Sequence, residues 1–482
     1  MSGGRPRVSL SMIVKNGEET LARCLNSVSG LVAETVVVDT GSTDASRAVA
    51  AGLGARVHDF TWTDSFADAR NESLRLVTGA WVLWLDHDEW LNDDARTRFR
   101  ALMDQLADST AVYFFRQVSA VSTPGAGPLT VYQPRLFRSG PEVRWRGRVH
   151  EQVLSSCLSR GDRPLLADVA VRHSGYELAE VSRVKEARNL RLLEQELAAS
   201  PDDPWLLFQH ARLLVQTRFP DARASLLRAL RLAPPADPLR RQLSCLLARA
   251  LRENGLPAEA LLVVADALSR FPTDTHLLVE SATLAADSGL LAEAESAFAL
   301  LLSTAPDPDE FFGPVDLSWR GWRTRHHLAL LALKQNRLAE AETFARSALS
   351  ENPSFAPLWL VLCELYLTPT RLADFDSALV EYERLSPGSA DEVLLLRSRA
   401  SIERREFTLA RALLADVIGR HPSSPWPRVL LSRTHLYEGA DLAAAERGLL
   451  DVLALDPGNE EAKKNLKNLM DYLGADDEPE AP

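Results

Sequence analysis

The chain has 482 residues, 46% of them hydrophobic and 25% charged, which excludes a mini-protein and a globally disordered chain. Its 54 Lys and Arg against 66 Asp and Glu give a net charge of -12, which argues against a nucleic-acid partner. Residues 1–190 carry 23 basic and 23 acidic side chains, so the whole deficit lies beyond them and the chain reads as two parts joined. Cys24, Cys157, Cys245 and Cys363 are scattered with no paired spacing, which indicates neither a disulfide framework nor a cysteine zinc site and suits a reducing compartment. The basic, briefly apolar stretch before Lys15 is too short for a secretory signal, and no run approaches the ~20 apolar residues of a membrane span. A cytoplasmic protein without a transmembrane segment is expected, any membrane contact being peripheral to the inner face.

In chain order, residues 8–14 read as a buried strand and 18–28 as an amphipathic helix. A strand at 35–39, a helix starting near Asp44, a turn through Gly54, and a strand at 56–60 follow. Then come a helix from about Asp64 to Val77 and a strand at 80–85. Strands separated by helical stretches of this length imply βαβ units on a mostly parallel sheet, in which ligands bind beyond the carboxyl ends of the strands.

The polar residues at those ends are Lys15 and Asn16 after the first strand, Asp39 to Asp44 after the second, and Asp86, His87, Asp88 and Glu89 after the fourth. No glycine-rich phosphate loop occupies the first turn, so dinucleotide-binding and P-loop readings gain no support. Period-two alternation aims Asp86 and Asp88 the same way, and hard carboxylate oxygens suit Mg or Mn bridged to a diphosphate. An ordinary acidic turn after a strand is the competing reading of the same residues.

Four separated motifs now stand in order: Ser11-Met12-Ile13-Val14-Lys15-Asn16, Val38-Asp39-Thr40-Gly41-Ser42-Thr43-Asp44, Asp68-Ala69-Arg70-Asn71-Glu72-Ser73 and Trp84-Leu85-Asp86-His87-Asp88-Glu89. Over about residues 8–190 this order resembles the family-2 glycosyltransferases of the GT-A fold, and in particular their subgroup that continues into helical repeats. The resemblance implies a Rossmann-like α/β domain over 1–180 for a nucleotide-diphospho-sugar donor, a UDP-sugar by expectation, and a divalent Mn or Mg ion. It implies that Asp39 hydrogen-bonds the base, that Lys15 and Asn16 line the same pocket, and that Arg70 reaches the base or diphosphate. It further implies that Asp86 contacts the ribose and Asp88 the metal. For Asp39 the alternative is a turn residue capping Ser42 to Asp44, and His87 is read as shaping its turn.

Later in the domain, the segment from Arg144 to Val153 matches the family's order of a glycine loop, here Gly147, before an acidic residue that deprotonates the acceptor, here Glu151. Inverting transfer places that base opposite the departing diphosphate, and Glu151 is expected near Asp88. A Glu151 paired with Arg146 or Arg148 is the alternative. His150 precedes Glu151, so in a strand only one of the two faces the site. The last strand, 165–173, ends in His173, where GT-A enzymes often supply a metal ligand; a structural histidine at the domain boundary competes with that role. Arg135, Arg138, Arg144, Arg146 and Arg148 form a basic run, read as balancing the diphosphate or as a solvated face.

After a connecting helix at 181–201, a proline closes an apolar helical segment at Pro234, Pro272, Pro306, Pro353, Pro387, Pro422 and Pro457, with gaps of 38, 34, 47, 34, 35 and 35. Twelve residues before each proline stands an alanine, except Phe375. A period near 34 with helix, turn, helix and terminal proline resembles the tetratricopeptide repeat, giving an all-α solenoid of about seven repeats over 202–457. An insertion around 310–319 puts Phe311, Phe312 and Trp319 on a loop, as a partner contact or as cover for a repeat edge. Residues 458–470 read as a capping helix and the last residues as a disordered acidic tail, within a terminal segment 458–482.

The function implied is metal-dependent inverting transfer of a sugar to a glycan, lipid or protein acceptor. Two alternatives remain: a peptide acceptor held by the repeats, or a non-catalytic scaffold that binds a protein partner. The joint presence of Asp39, Arg70, Asp86, Asp88, Glu151 and His173 argues against a degenerate site.

Overall fold

The computed structural model describes residues 7–475 apart from 107–109, 120–128, 175–178, 236, 307–309 and 311–315. Phe311, Phe312 and the acidic tail from residue 476 lie outside the described residues. Strand β1 (Val8–Val14) is buried along its whole length, as a strand covered on both faces must be. Its two polar side chains are satisfied: Ser9 donates to Glu34 Oε1 at 2.5 Å and Ser11 Oγ lies 2.7 Å from Ser73 Oγ. Helix α1 (Glu18–Val28) opens on two glutamates at the positive end of its macrodipole. Strand β2 (Glu34–Asp39), α2 (Ser46–Gly52), β3 (Arg56–Asp59), α3 (Phe66–Leu76) and β4 (Trp81–Trp84) complete the predicted series. β1 pairs in parallel with β2 and β4, and β2 with β3.

The rest of the domain comprises β5 (Glu89–Trp90), α4 (Asp93–Met103), β6 (Ala111–Ser119), β7 (Leu129–Arg138), α5 (Leu154–Ser159) and β8 (Arg163–His173). Of these strands only the last, read at 165–173, is legible in the sequence, and it is β8. The strand order is β3-β2-β1-β4-β7-β6-β8-β5, with β7 antiparallel to β4 and β6. The short β5 pairs Glu89 with His173 of β8, which carries the end of the last strand to the acidic turn after β4. Alternation divides the core between two faces, Leu10, Met12, Leu83 and Phe115 on one, and Val82, Trp84, Phe114 and Phe137 on the other.

Helix α6 (Ala179–Ala199) leads into consecutive helix pairs: α7 (Pro204–Leu214) and α8 (Phe219–Leu232), α9 (Leu239–Glu253) and α10 (Pro257–Arg270), α11 (Thr275–Asp287) and α12 (Leu291–Ser303). Then follow α13 (Trp322–Lys334) and α14 (Leu338–Glu351), α15 (Ala356–Tyr366) and α16 (Leu372–Leu385), α17 (Ala390–Glu403) and α18 (Phe407–Arg420), and α19 (Trp426–Glu438) and α20 (Leu442–Leu455), before a last helix α21 (Glu460–Ala475). Each second helix stops just short of its proline. Ala222, Ala260, Ala294, Ala341, Ala410 and Ala445 are 0% exposed, and so is Phe375 at the exceptional position. The small residue is thus fully enclosed in each of these pairs, and one pair encloses an aromatic ring at the same position.

Trp319, half-buried, belongs to a 3-10 turn at Leu317–Arg320, and Arg320 ties this turn back by donating to Thr275 Oγ1 at 2.7 Å and to the Thr304 carbonyl at 2.7 Å. Those bonds favour cover for a repeat edge. By contact the described chain forms two compact units, one ending at Thr324 and one beginning at Arg325. The first unit therefore joins the sheet domain to α6–α12, whereas the change of sequence texture alone predicts a seam near residue 180. No helix among the described residues is long and apolar enough to cross a membrane.

Candidate active site

A cavity of about 1030 Å³ opens at the carboxyl ends of β1 and β4. Lys15, Asn16, Arg70, Asp86, Asp88, Glu151 and His173 all line it, and Asp39 lies directly beneath through its neighbour Thr40. Asp39 is 2% exposed, and its two oxygens differ. Oδ1 accepts from the Gly41 and Ser42 amides at 2.7 and 2.8 Å, while Oδ2 is buried with no partner among the described residues. One oxygen does the capping that the turn requires, and the other is buried without a partner among the described residues.

Asn16 is less a ligand than a brace. Its Oδ1 accepts from the Thr43 amide at 2.8 Å and its own amide donates to Ser42 Oγ at 2.9 Å, which locks the loop after β1 to the loop after β2. Its φ of 52° is left-handed, a conformation asparagine tolerates better than most residues. Lys15 stands exposed at the cavity mouth. His87 packs so closely on Gly17 that a Cβ there would fall 2.7 Å from its Nδ1, and the same nitrogen lies 2.9 Å from Thr20 Oγ1. The turn-shaping role expected of His87 is what these contacts describe.

Arg70 departs from its expected role. Its Nε donates to Glu151 Oε1 at 2.6 Å and its Nη2 to Asp86 Oδ1 at 2.9 Å, while its guanidinium centre lies 4.5 Å from the Trp84 ring and 4.9 Å from the Trp145 ring. Buried between two indoles and holding two carboxylates, it fixes site residues at the cavity wall. Glu151 is therefore paired with neither Arg146 nor Arg148, and Arg70, not Asp88, is the group it touches. Burial opposes ionisation of Asp86, but the Arg70 and Arg135 guanidiniums outweigh it and hold that carboxyl below its usual range. The Asp86 side chain is accessible to the cavity although protein walls it on every other side.

β4 stops at Trp84, so Asp86 and Asp88 sit in a turn and strand alternation does not govern them. Asp86 turns to Arg70, and Asp88 Oδ2 lies 3.1 Å from His173 Nε2. Burial works against the Asp88 charge, yet the His173 hydrogen bond and charge hold its carboxyl down; that same bond raises His173 against the effect of its own burial. Among the described residues no three carboxylate, imidazole or thiolate groups converge on one point. Asp88 and His173, one carboxylate and one imidazole, are the residues that would hold a divalent cation.

Beneath the turn lies a layer that sequence reasoning did not assign. Glu89 and Arg135, 0% and 1% exposed, pair at 2.6 Å. Glu89 Oε2 accepts from the Asp86 amide at 2.9 Å, Gln117 donates to Glu89 Oε1 at 2.8 Å, and the Arg135 guanidinium centre lies 3.8 Å from the Trp84 ring. Burial pushes the Glu89 carboxyl up while Arg135 pulls it back. Arg135 thus supports the acidic turn from below and does not reach a diphosphate. Arg138, Arg144, Arg146 and Arg148 do not line the cavity; Arg188 and Arg212 do.

The loop carrying Glu151 is likewise built by backbone geometry. Gly147 has φ 96° and His150 φ 55°, so the chain from 147 to 151 is not a strand, and His150 and Glu151 both face the cavity. The two-residue alternation expected for them does not hold. Burial, together with the nearby Arg212 charge, pushes His150 down to about 4, so its imidazole is neutral at physiological pH.

The model of the family described as Glycosyl transferase family 2 matches residues 9–160. A TPR repeat-containing protein of Synechococcus elongatus is 36% identical over 217 residues, 44% of this chain and 53% of its own. The SPbeta prophage-derived glycosyltransferase SunS of Bacillus subtilis is 26% identical over 211 residues, 42% of this chain and 48% of its own. A solved tetratricopeptide repeat protein from Parabacteroides merdae aligns with 55% of this chain and 98% of its own at a TM-score of 0.42 and 19% identity. The chain spans about half the length of the curated relatives it matches. Residues 9–160 are a family-2 glycosyltransferase domain.

Proposed function

We propose that this glycosyltransferase domain moves a sugar, with inversion, from a nucleotide-diphospho-sugar, a UDP-sugar by expectation, to an acceptor nucleophile on a glycan, lipid or protein. The observation that carries the reading is the gathering at one cavity of the Asp88–His173 pair and of Glu151 yoked to Asp86 by Arg70, with the unpartnered Asp39 oxygen buried behind Thr40 of the lining. Asp39 Oδ2 supplies an acceptor for the N–H of a pyrimidine base, which removes the penalty of a buried oxygen without a donor. Asp86 keeps Oδ2 for a ribose hydroxyl, since Arg70 holds Oδ1. A divalent cation held by Asp88 and His173 would neutralise charge on the departing diphosphate.

Glu151 accepts the acceptor's proton as the nucleophile attacks the anomeric carbon. The bond from that carbon to the diphosphate oxygen breaks, and its electron pair leaves with the diphosphate. Arg70 engages only one oxygen of Glu151, so the other is available for the proton, and the guanidinium fixes the direction in which it points. Incubating the full chain with labelled UDP- and GDP-sugars, Mn and cell extract tests the reading. Label entering lipid, protein or polysaccharide, and reduced to background by Asp88→Ala in a folded protein, supports it; full turnover by that variant removes the assignment.

A further inference from the structure

We infer that the helical wall of this cavity is an acceptor subsite, in which Arg212 of α7 receives an anionic group of the acceptor, a carboxylate or a phosphate. The inference rests on the transferase reading of the cavity and specifies its acceptor side. The wall is fixed to the catalytic loop. Arg191 of α6 pairs with both oxygens of Asp64 at 3.0 and 3.2 Å, and Glu196 accepts from the Arg148 amide at 2.8 Å. Leu192, Leu193 and Leu206 pack around Val149 of the Glu151 loop.

Local sequence sets the phase of α7. Asp203 caps it by accepting from the Trp205 and Leu206 amides at 2.8 and 3.1 Å, with Pro204 in the first turn. Helical spacing then puts Trp205, Gln209 and Arg212 on the face that lines the cavity, while Leu207, Phe208, Ala211 and Leu214 join the repeat core. Gln209 is 1% exposed, and its Oε1 accepts from Arg212 Nη1 at 2.9 Å, which holds the guanidinium in place.

Arg212 differs from the arginines around it. Arg191, Arg218, Arg223 and Arg228 each pair with a carboxylate, but among the described residues none pairs with Arg212. Its side chain is accessible, yet protein encloses it enough that burial holds the guanidinium below its ordinary range. Its charge acts on His150, which adjoins the base Glu151, so the cation stands on the side where the acceptor loses its proton. Arg212 lines the cavity with its guanidinium held by Gln209 and with no carboxylate paired to it among the described residues, so it is free to receive an anion. A carboxylate or phosphate is a suitable partner for a guanidinium fork, and the Trp205 indole beside it offers a flat apolar face.

Calorimetric titration of inorganic phosphate and, separately, of glutarate into the full-length chain, with and without saturating UDP and Mg, tests this. The wild type should bind at least one probe in the presence of UDP. Arg212→Gln should weaken that binding by roughly ten-fold or more, Arg212→Lys should retain part of it, and UDP affinity should be the same in all three proteins. Preference for phosphate or for glutarate identifies the anion as phosphoryl or carboxylate. The inference is overturned if neither probe binds the wild type, if Arg212→Gln binds as the wild type does, or if UDP affinity falls in parallel, which would assign Arg212 to the donor. Should UDP itself fail to bind, the transferase reading fails, and the titrations without UDP still decide whether Arg212 holds an anion.

Discussion

The sheet domain and the later repeats use the same ion pair, arginine with a carboxylate, in two different physical settings. In the sheet domain Arg135 and Glu89 are 1% and 0% exposed, and Arg70 is 7% exposed between Asp86 and Glu151. In the second unit Arg399 pairs with Glu364 at 26% and 40% exposure, and Arg404 with Asp376 at 29% and 57%. Charges removed from water must be compensated by their partners, whereas charges at a surface keep their hydration and gain little from pairing. The repeats are instead held by apolar contact, as the 0% exposed alanine row and Phe375 show. The sheet domain tolerates buried charge because that charge shapes a site.

The sharpest break between the two settings is the removal of one partner. Glu89→Ala strands Arg135 in the core and is expected to cost about 3–5 kcal/mol, whereas Glu364→Ala in the repeats should cost less than about 1 kcal/mol. Urea unfolding followed by tryptophan fluorescence measures both, and equal costs would remove the distinction. Next in size is Arg70. Arg70→Lys keeps a charge but not a planar fork, so it cannot hold Asp86 and Glu151 together, and turnover should fall by about 10²-fold with a smaller weakening of nucleotide binding through the released Asp86. Near-normal turnover by the lysine variant would show that charge alone suffices.

These residues also show what the sequence reveals and what it hides. The strands β1 to β4 and the motif order are legible because βαβ units leave long apolar runs, and the proline spacing exposes the repeats. Asp39, Asp86, Asp88, Glu151 and His173 stand at strand or loop ends, where chemistry is concentrated. Arg135 looks like any member of a run of five arginines, because its burial depends on the antiparallel β7 placing it under the acidic turn. His150 and Glu151 face the same way only because His150 adopts a left-handed φ of 55°, which no residue pattern announces. Arg212 lies more than fifty residues beyond the base, and only the docking of α6 and α7 brings the two into one cavity.

Surface pairing in the repeats should show its small contribution through pH. Glu342 accepts from Arg371 Nη1 at 2.6 Å, Arg346 Nε at 2.9 Å and Tyr366 Oη at 2.9 Å; the Arg371 bond foremost pulls its pKa down to about 2. A carboxyl depressed by folding stabilises above its unfolded pKa and loses that contribution as pH falls through the folded value. The stability advantage of wild type over Glu342→Gln, at most about 1 kcal/mol at pH 7 and read from the difference in Tm, should therefore shrink as the pH falls from about 4.5 toward about 2. A gap unchanged over that window would mean the variant acts through packing.

The smallest effect separates backbone from side chain within the repeats themselves. Between the two helices of a pair, Gly255, Gly289 and Gly439 take left-handed φ values of 74°, 77° and 71°, but Asn336 and Arg405 stand there at 57° and 61°. Glycine meets that conformation without a Cβ clash, asparagine tolerates it, and arginine pays for it in strain. Its amide donates to the Ile402 carbonyl at 3.0 Å, as a turn amide does, but among the described residues the Arg405 side chain makes no hydrogen bond or ion pair that would offset the strain. Arg405→Gly should consequently stabilise the second unit by about 0.5 kcal/mol, the relief of strain being partly cancelled by glycine's greater freedom when unfolded. Asn336→Gly should be nearly neutral, since asparagine starts with less strain to lose. If thermal melts show both substitutions destabilising by the same amount, unfolded-state entropy governs these turns and the left-handed geometry contributes nothing measurable.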